Sequence, residues 1–324
     1  MNELSRYQQI IDGMIERTRF EGTPPNLYEP MNYIMSLGGK RLRPMLTLIA
    51  CELFNGDINK AIFPALGIEL FHNFSLIHDD IMDDAPLRRG METVHIKWNM
   101  PTAILSGDLM LVKAYEFMLK TENVARIKVL DLFTQTAAHV CEGQQWDMDF
   151  EKRDDVSVNE YLKMIEYKTA VLLGCALKTG AITANAHDND ADLLYDFGVS
   201  MGIGFQIMDD ILDAFGDKDK VGKQVGGDII ADKKTYLLLE AYHLASEGQK
   251  ARLNNWIGNK EANPELKVKE VLSIFSELDI EVLARKKAEE YFSKADRLLE
   301  AVAIEGSRKQ NLRDYSLFLK NRVS

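Results

Sequence analysis

The chain has 324 residues, 46% of them hydrophobic, and a formal net charge of −11. This length and apolar content allow a sizeable buried core and exclude a disordered chain, and the acidic balance excludes general nucleic-acid binding, which needs a basic surface. No run approaches the roughly 18 consecutive apolar residues of a membrane-spanning helix, and the start from Met1 to Arg6 lacks the pattern of a secretory signal, so a cytoplasmic protein is expected. Cys51, Cys141 and Cys175 are few, dispersed and odd in number, which predicts buried, reduced thiols.

In chain order, Pro24, Pro25, Pro30, Pro44, Pro64, Pro86 and Pro101 crowd the first third, and the next proline is Pro264. The long interval, rich in Leu, Ala, Met, Lys and Glu, predicts successive helices. Turn-like clusters break it at 185–189, 216–227 and 246–264. With no shift of composition along the chain, one domain over residues 1–324 is expected. Two segments are more apolar than a surface helix: Ile62 to Ile81 and Phe197 to Leu212. The second alternates with period two from Phe197 to Phe205, which favours a strand. A helix is predicted because the chain offers no partner strand; Gly198 and Gly202 then share a face open to close approach.

Asp79-Asp80-Ile81-Met82-Asp83 closes the first apolar helix and Asp209-Asp210-Ile211-Leu212-Asp213 the second. First and last aspartates, four apart, fall on one face and repel. Pro86 and Gly216 are stop signals, so the clusters sit in last turns, where the helix dipole disfavours anions. Hard divalent ions with oxygen ligands compensate such charge, and Mg²⁺ typically combines few carboxylates with substrate phosphates. A solvated acidic helix end would explain one such cluster; two of the same form are harder to explain that way. Asp217, Asp219, Gly222 and Asp228 only partly match a calcium-binding loop, since Val221 fills a ligand position.

Basic groups accompany both clusters. Gly38-Gly39-Lys40-Arg41-Leu42-Arg43-Pro44 sets three cations behind a glycine pair, Arg88-Arg89-Gly90 follows the first cluster, and Lys223 and Lys233 follow the second. In an acidic protein this suggests two diphosphates, one bound through metal and one by side chains.

These motifs, with Lys168-Thr169 and the Gly-x-Gln-x-x-Asp-Asp-x-x-Asp run from Gly204 to Asp213, resemble the trans-isoprenyl diphosphate synthases, the family of farnesyl and geranylgeranyl diphosphate synthases. The resemblance implies an all-α fold, a single large helical bundle with a deep central cavity, and a homodimer. It implies that Asp79, Asp80, Asp83, Asp209, Asp210 and Asp213 hold three Mg²⁺ ions against an allylic diphosphate contacted by Arg88, Lys168, Lys223 and Lys233. Lys40, Arg43, His72 and Arg89 would hold isopentenyl diphosphate, and Thr169 and Gln206 would face the reacting carbons. The implied reaction is ionisation, head-to-tail condensation and proton elimination. Two departures lie beyond the second cluster: Asp232 stands where the family usually has Gly, and no Leu-Pro follows Thr235, which puts the role of Lys233 in question.

Phe74 lies five residues before Asp79, about 7.5 Å along a helix. The resemblance makes an aromatic there, beside the small Ser75, a pocket floor for C15 to C20 products; otherwise it is core. Class I terpene cyclases share the first cluster but not its repeat or a second diphosphate site, and a non-catalytic partner subunit would be expected to lose aspartates.

Overall fold

The computed structural model describes residues 3–216, 226–259 and 261–320. They form sixteen α-helices, α1 to α16, one π-turn, one 3₁₀ turn and a hairpin of two-residue strands. The chain groups into two compact units, Met1–Thr134 with Cys175–Tyr195 and Ala303–Asn311, and Gln135–Gly174 with Asp196–Val302 and Leu312–Ser324.

The first unit contains α1 (Glu3–Arg17), α2 (Pro25–Ser36), α3 (Leu42–Leu53), α4 (Ile58–Met82), strands β1 (Leu87–Arg88) and β2 (Met91–Glu92), α5 (Val94–Lys97) and α6 (Met100–Met118). It shares α7 (Asn123–Phe150), α9 (Val171–Thr183) and α10 (Asp188–Phe215) with the second unit. At 25 residues α4 is about 37 Å long. Asp57 caps its start by accepting from the Asn59 N–H at 3.0 Å. Its burial nearly all round, from Ala61 through Leu66, Ile68, Phe71 and Ile77, is the uniform apolarity seen in the sequence. Glycines set the spacing to its neighbour α6: a Cβ on Gly67 would lie 3.1 Å from the Ala114 carbonyl, and one on Gly107 2.4 Å from His78 Nε2. A Cβ on Gly180 of α9 would lie 2.1 Å from the Thr47 carbonyl of α3.

The second unit contains α8 (Val158–Ile165), α11 (Gly227–Ile230), α12 (Tyr236–Leu244), α13 (Glu247–Trp256), α14 (Pro264–Glu277), α15 (Ile280–Ala301) and α16 (Gln310–Lys320), which begins in the first. Residues 197–205 are helical, within α10. Apolar residues exposed by the period-two pattern find cover on several sides, and Gly202 admits the close approach of Ala170, at the end of the π-turn, and of Leu173 on α9: its Cβ would lie 2.7 Å from the Ala170 Cβ and 3.0 Å from Leu173 Cδ1. One expected turn is corrected. Within 246–264, Ser246 opens α13 with a capping box, its hydroxyl accepting from the Gln249 N–H. The three cysteines form no disulfide; Cys51 and Cys175 are buried as expected, but Cys141 is exposed on α7. Among the described residues no helix is long and apolar enough to cross a membrane.

Candidate active site

In the first unit, α4 ends on the first aspartate cluster: Asp79 and Asp80 lie in its last turn and Asp83 caps it. Asp80 is 1% exposed, so its charge must be compensated locally. Arg88 does this with a fork: Nε donates to the two carboxylate oxygens at 3.0 and 2.8 Å, and Nη2 to Oδ1 at 2.7 Å. The β1–β2 hairpin delivers Arg88 by reversing the chain at Arg89 and Gly90, both at positive φ, 54° and 78°. Asp79 is half-buried and Asp83 exposed.

About two turns earlier on α4, His72 Nε2 lies 3.2 Å from Arg43 Nη1, in the first turn of α3. A guanidinium only donates, so Nε2 accepts and the ring proton sits on Nδ1. Burial, then the positive charges of Arg43, Arg89, Arg88 and Arg41, hold His72 well below the usual histidine range, so the ring is neutral. Arg89 donates from Nη1 to the Gly38 carbonyl, tying the hairpin to the glycine loop that carries the exposed Lys40. Lys40, Arg43, His72 and Arg89 therefore belong to one cationic region. The third cation of the loop, Arg41, is turned inward and buried against Glu69. Phe74 is 8% exposed, with Phe71 at 5.5 Å and His78 at 4.8 Å between ring centroids. The Ser75 hydroxyl donates to the His72 carbonyl at 2.9 Å.

In the second unit, α8 continues into a π-turn, Glu166–Ala170, that carries Lys168 and Thr169. Such turns concentrate at functional sites. Here Gly143 of α7 gives it room: a Cβ would lie 2.3 Å from the Lys168 nitrogen. Lys168 Nζ donates to Asp147 at 2.5 Å. Asp209, Asp210 and Asp213 lie in the last two turns of α10, with Gln206 one turn before. Asp210 is 4% exposed. The Tyr161 hydroxyl donates to its Oδ2, as does the Tyr236 N–H at 3.3 Å, and Gln206 Nε2 donates to Oδ1 at 3.4 Å. Burial and the charge of Asp228 nonetheless push Asp210 up to about 8 against those hydrogen bonds. Asp213 Oδ2 accepts from the Asp228 N–H at 2.9 Å, which docks α11 on the end of α10.

Lys233 follows α11, its N–H donating to the Asp228 carbonyl at 2.9 Å. Asp232 sits at φ 57°, the left-handed region that suits glycine, and its carboxylate accepts from buried Lys267 at 2.6 Å and from the Gly258 N–H at 2.9 Å. The departure at Asp232 thus preserves the turn. Lys223 lies outside the described residues, as do Asp217, Asp219 and Gly222. Tyr161, Asp147 and Gly143 carry no signal in the sequence: each acts on a residue more than 20 positions away, with no shared motif.

Among the described residues, no three His, Cys, Asp or Glu side chains converge closely enough to hold an ion alone. The donors nonetheless suit a hard divalent ion that shares its coordination with phosphate. Asp210 is the clearest case: a buried carboxyl in contact with no basic side chain among the described residues, and so costly to ionise until a cation arrives.

The polyprenyl synthetase family model matches residues 24–275. The chain belongs to the polyprenyl synthetase family. It is 41% identical over 267 residues to a geranylgeranyl diphosphate synthase of Sulfolobus acidocaldarius, covering 80% of each chain. It is 38% identical over 256 residues to a geranylfarnesyl diphosphate synthase of Natronomonas pharaonis, covering 74% of this chain and 75% of that one. A crystal structure of a geranylgeranyl pyrophosphate synthase superposes with a TM-score of 0.94 at 42% identity, covering 100% of both chains. This polyprenyl synthetase is accordingly a prenyltransferase with the all-α isoprenoid synthase fold.

Proposed function

We propose that the protein is a short-chain trans-prenyl diphosphate synthase that joins isopentenyl diphosphate head-to-tail to an allylic diphosphate and makes a C20 to C25 product. The observation that carries this is the layout of α4. His72, with Arg43, Lys40 and Arg89 around it, marks an anion site, and Asp79 and Asp80 lie about 10 Å further along the same helix. One helix thus serves two diphosphates at a spacing that suits joined five-carbon units. The relatives' names support C20 or C25 rather than C15.

Asp79, Asp80, Asp83, Asp209, Asp210 and Asp213 are the proposed ligands of Mg²⁺, three ions by the family resemblance. When bound, the ions neutralise charge on the departing diphosphate. Arg88, through the Nη1 not used on Asp80, and Lys168, Lys223 and Lys233 add cationic contacts where that charge develops. Lys40, Arg43, Arg89 and neutral His72 hold isopentenyl diphosphate. Gln206 commits its amide N–H to Asp210, leaving its carbonyl dipole for the allylic cation beside the Thr169 hydroxyl. Phe74, packed on the fully buried Phe71, offers an apolar ring that would keep water from the cation. The released diphosphate takes the final proton.

One catalytic domain over residues 1–324 is the proposed unit, since four of the five boundaries between the two compact groups fall inside continuous helices. A homodimer is proposed as well. Ile104, Leu105 and Val112 make an apolar face on α6, 41%, 58% and 53% exposed, which a second copy would cover. A cytoplasmic location fits these features. Neither a terpene cyclase nor a non-catalytic subunit is favoured, because the chain carries Lys40, Arg43, His72 and Arg89 for a second diphosphate and all six aspartates. The test is incorporation of labelled isopentenyl diphosphate with a C15 allylic starter. Incorporation that needs Mg²⁺ and stops with chelator is expected; consumption of the starter without isopentenyl incorporation would contradict the reading.

A further inference from the structure

Lys40 lies in, and Arg43 just after, a loop whose backbone is unusual. Gly38, Gly39 and Arg41 all have positive φ, 74°, 129° and 47°. Glycine adopts such values freely, but arginine does so only when its surroundings over-determine it. Those surroundings are visible. Arg41 is 5% exposed between an exposed Lys40 and a half-buried Arg43, and it caps the start of α3. Its Nη1 donates to Glu69 at 2.6 Å, its Nη2 to the Met35 carbonyl at the end of α2, and its Nε lies 3.8 Å from Asp12 of α1.

Glu69 is 2% exposed and is held in turn by Asn73, fully buried one turn on, whose Nδ2 donates to the Glu69 carboxylate at 3.0 Å and carbonyl at 2.8 Å. Asn73 is the neighbour of His72, which meets Arg43. The chain of contacts therefore closes: Arg41 to Glu69, to Asn73, along the backbone to His72, to Arg43 and back to Arg41. Of the groups proposed to touch isopentenyl diphosphate, Arg43 on α3 lies two residues from Arg41 and His72 on α4 lies three residues from Glu69. A buried pair adds little net stability over an apolar one, but it fixes geometry.

We propose that Arg41 and Glu69 are positioning residues for isopentenyl diphosphate: their buried ion pair holds the glycine loop and α4 in the one register that aims Lys40, Arg43 and His72 at a single diphosphate. Neither residue touches the substrate. The proposal rests on the reading of Lys40, Arg43 and His72 as that diphosphate's site.

The test measures both KM values and kcat for three variants of the full chain. Arg41→Lys keeps the charge but lacks the planar fork that reaches Glu69 and Met35 together. Glu69→Gln keeps the shape and removes the charge. Arg41→Met with Glu69→Leu replaces the pair by apolar groups and guards against misfolding of the single variants. KM for isopentenyl diphosphate rises between tenfold and on the order of 10²-fold, as small misplacements of binding groups do. KM for the allylic diphosphate, and its slow Mg²⁺-dependent hydrolysis without isopentenyl diphosphate, stay at the wild-type value. An unchanged KM for isopentenyl diphosphate in any cooperatively folding variant overturns the proposal, as does a parallel rise of both KM values. Lys40→Ala is the control: if it leaves that KM unchanged, the site reading itself fails, whatever the Arg41 and Glu69 variants do.

Discussion

Replacing Phe74 by alanine should lengthen the product by about one isoprene unit. The ring is 8% exposed and packs between Phe71 and His78, five residues before Asp79 on α4. A buried Phe→Ala change costs about 3–5 kcal/mol, transfer and cavity terms together. An extra five-carbon unit entering the vacated space buries about five carbons at about 0.8 kcal/mol each, roughly 4 kcal/mol. The two are comparable, so the variant is destabilised when empty and recovers most of that loss when the longer chain is bound. Two measurements check this: the product distribution by mass spectrometry, and the melting temperature with and without product diphosphate. The variant should shift its main product up by one unit and gain more melting temperature from the longer diphosphate than the wild type does. A lower melting temperature with an unchanged product distribution would refute the argument, showing that Phe74 is core and the floor lies elsewhere.

Gly143→Ala drives a methyl group into the Lys168 backbone at 2.3 Å, so the π-turn must move, and kcat should fall on the order of 10²-fold; steady-state kinetics at wild-type KM would show it. Gly180→Ala, which meets the Thr47 carbonyl at 2.1 Å, should instead lower the melting temperature without changing either KM. Asp210, pushed up to about 8 from 3.8, gives a pH prediction. Between those values the unfolded chain ionises this carboxyl while the folded, metal-free protein keeps its proton, so this group's contribution to stability falls as pH rises and levels off above about 8. Asp210→Asn should therefore melt higher than metal-free wild type at pH 8, match it near pH 4, and lose the stabilisation by Mg²⁺; a variant that melts lower at pH 8 than wild type would contradict this. Burial, aided by Asp57 and Glu52, pushes the Cys51 thiol up to about 12, and Cys175 is also buried, so iodoacetamide should label only Cys141 in the native protein. Mass spectrometry should find one adduct before unfolding and three after.

What the sequence made legible was local or periodic. The two Asp-Asp-x-x-Asp clusters, each ending an apolar run before Pro86 or Gly216, correctly placed the carboxylates at the ends of α4 and in the last turns of α10. The alternation from Phe197 to Phe205 was a decoy for a strand, and lack of a pairing partner decided correctly for helix. Ser246 and Gln249 form a capping box that opens α13, but the stretch 246–264 around them reads as a turn and hid that helix.

Side-chain direction was not legible. Lys40, Arg41 and Arg43 look alike in sequence, but the left-handed backbone at Arg41 turns it inward to Glu69 while Lys40 stays exposed. Arg88 was read as a diphosphate ligand; its fork on Asp80 shows that it also compensates a buried carboxylate. Tyr161 and Asp147 reach their partners only through tertiary packing, which no spacing rule encodes.

The most direct test of head-to-tail chain elongation is the product itself. Purified protein with Mg²⁺, isopentenyl diphosphate and, in turn, the C5, C10 and C15 allylic diphosphates should give linear all-trans diphosphates that end at C20 or C25 from every starter that is accepted. Cyclic hydrocarbons, or no product longer than the starter, would contradict the account.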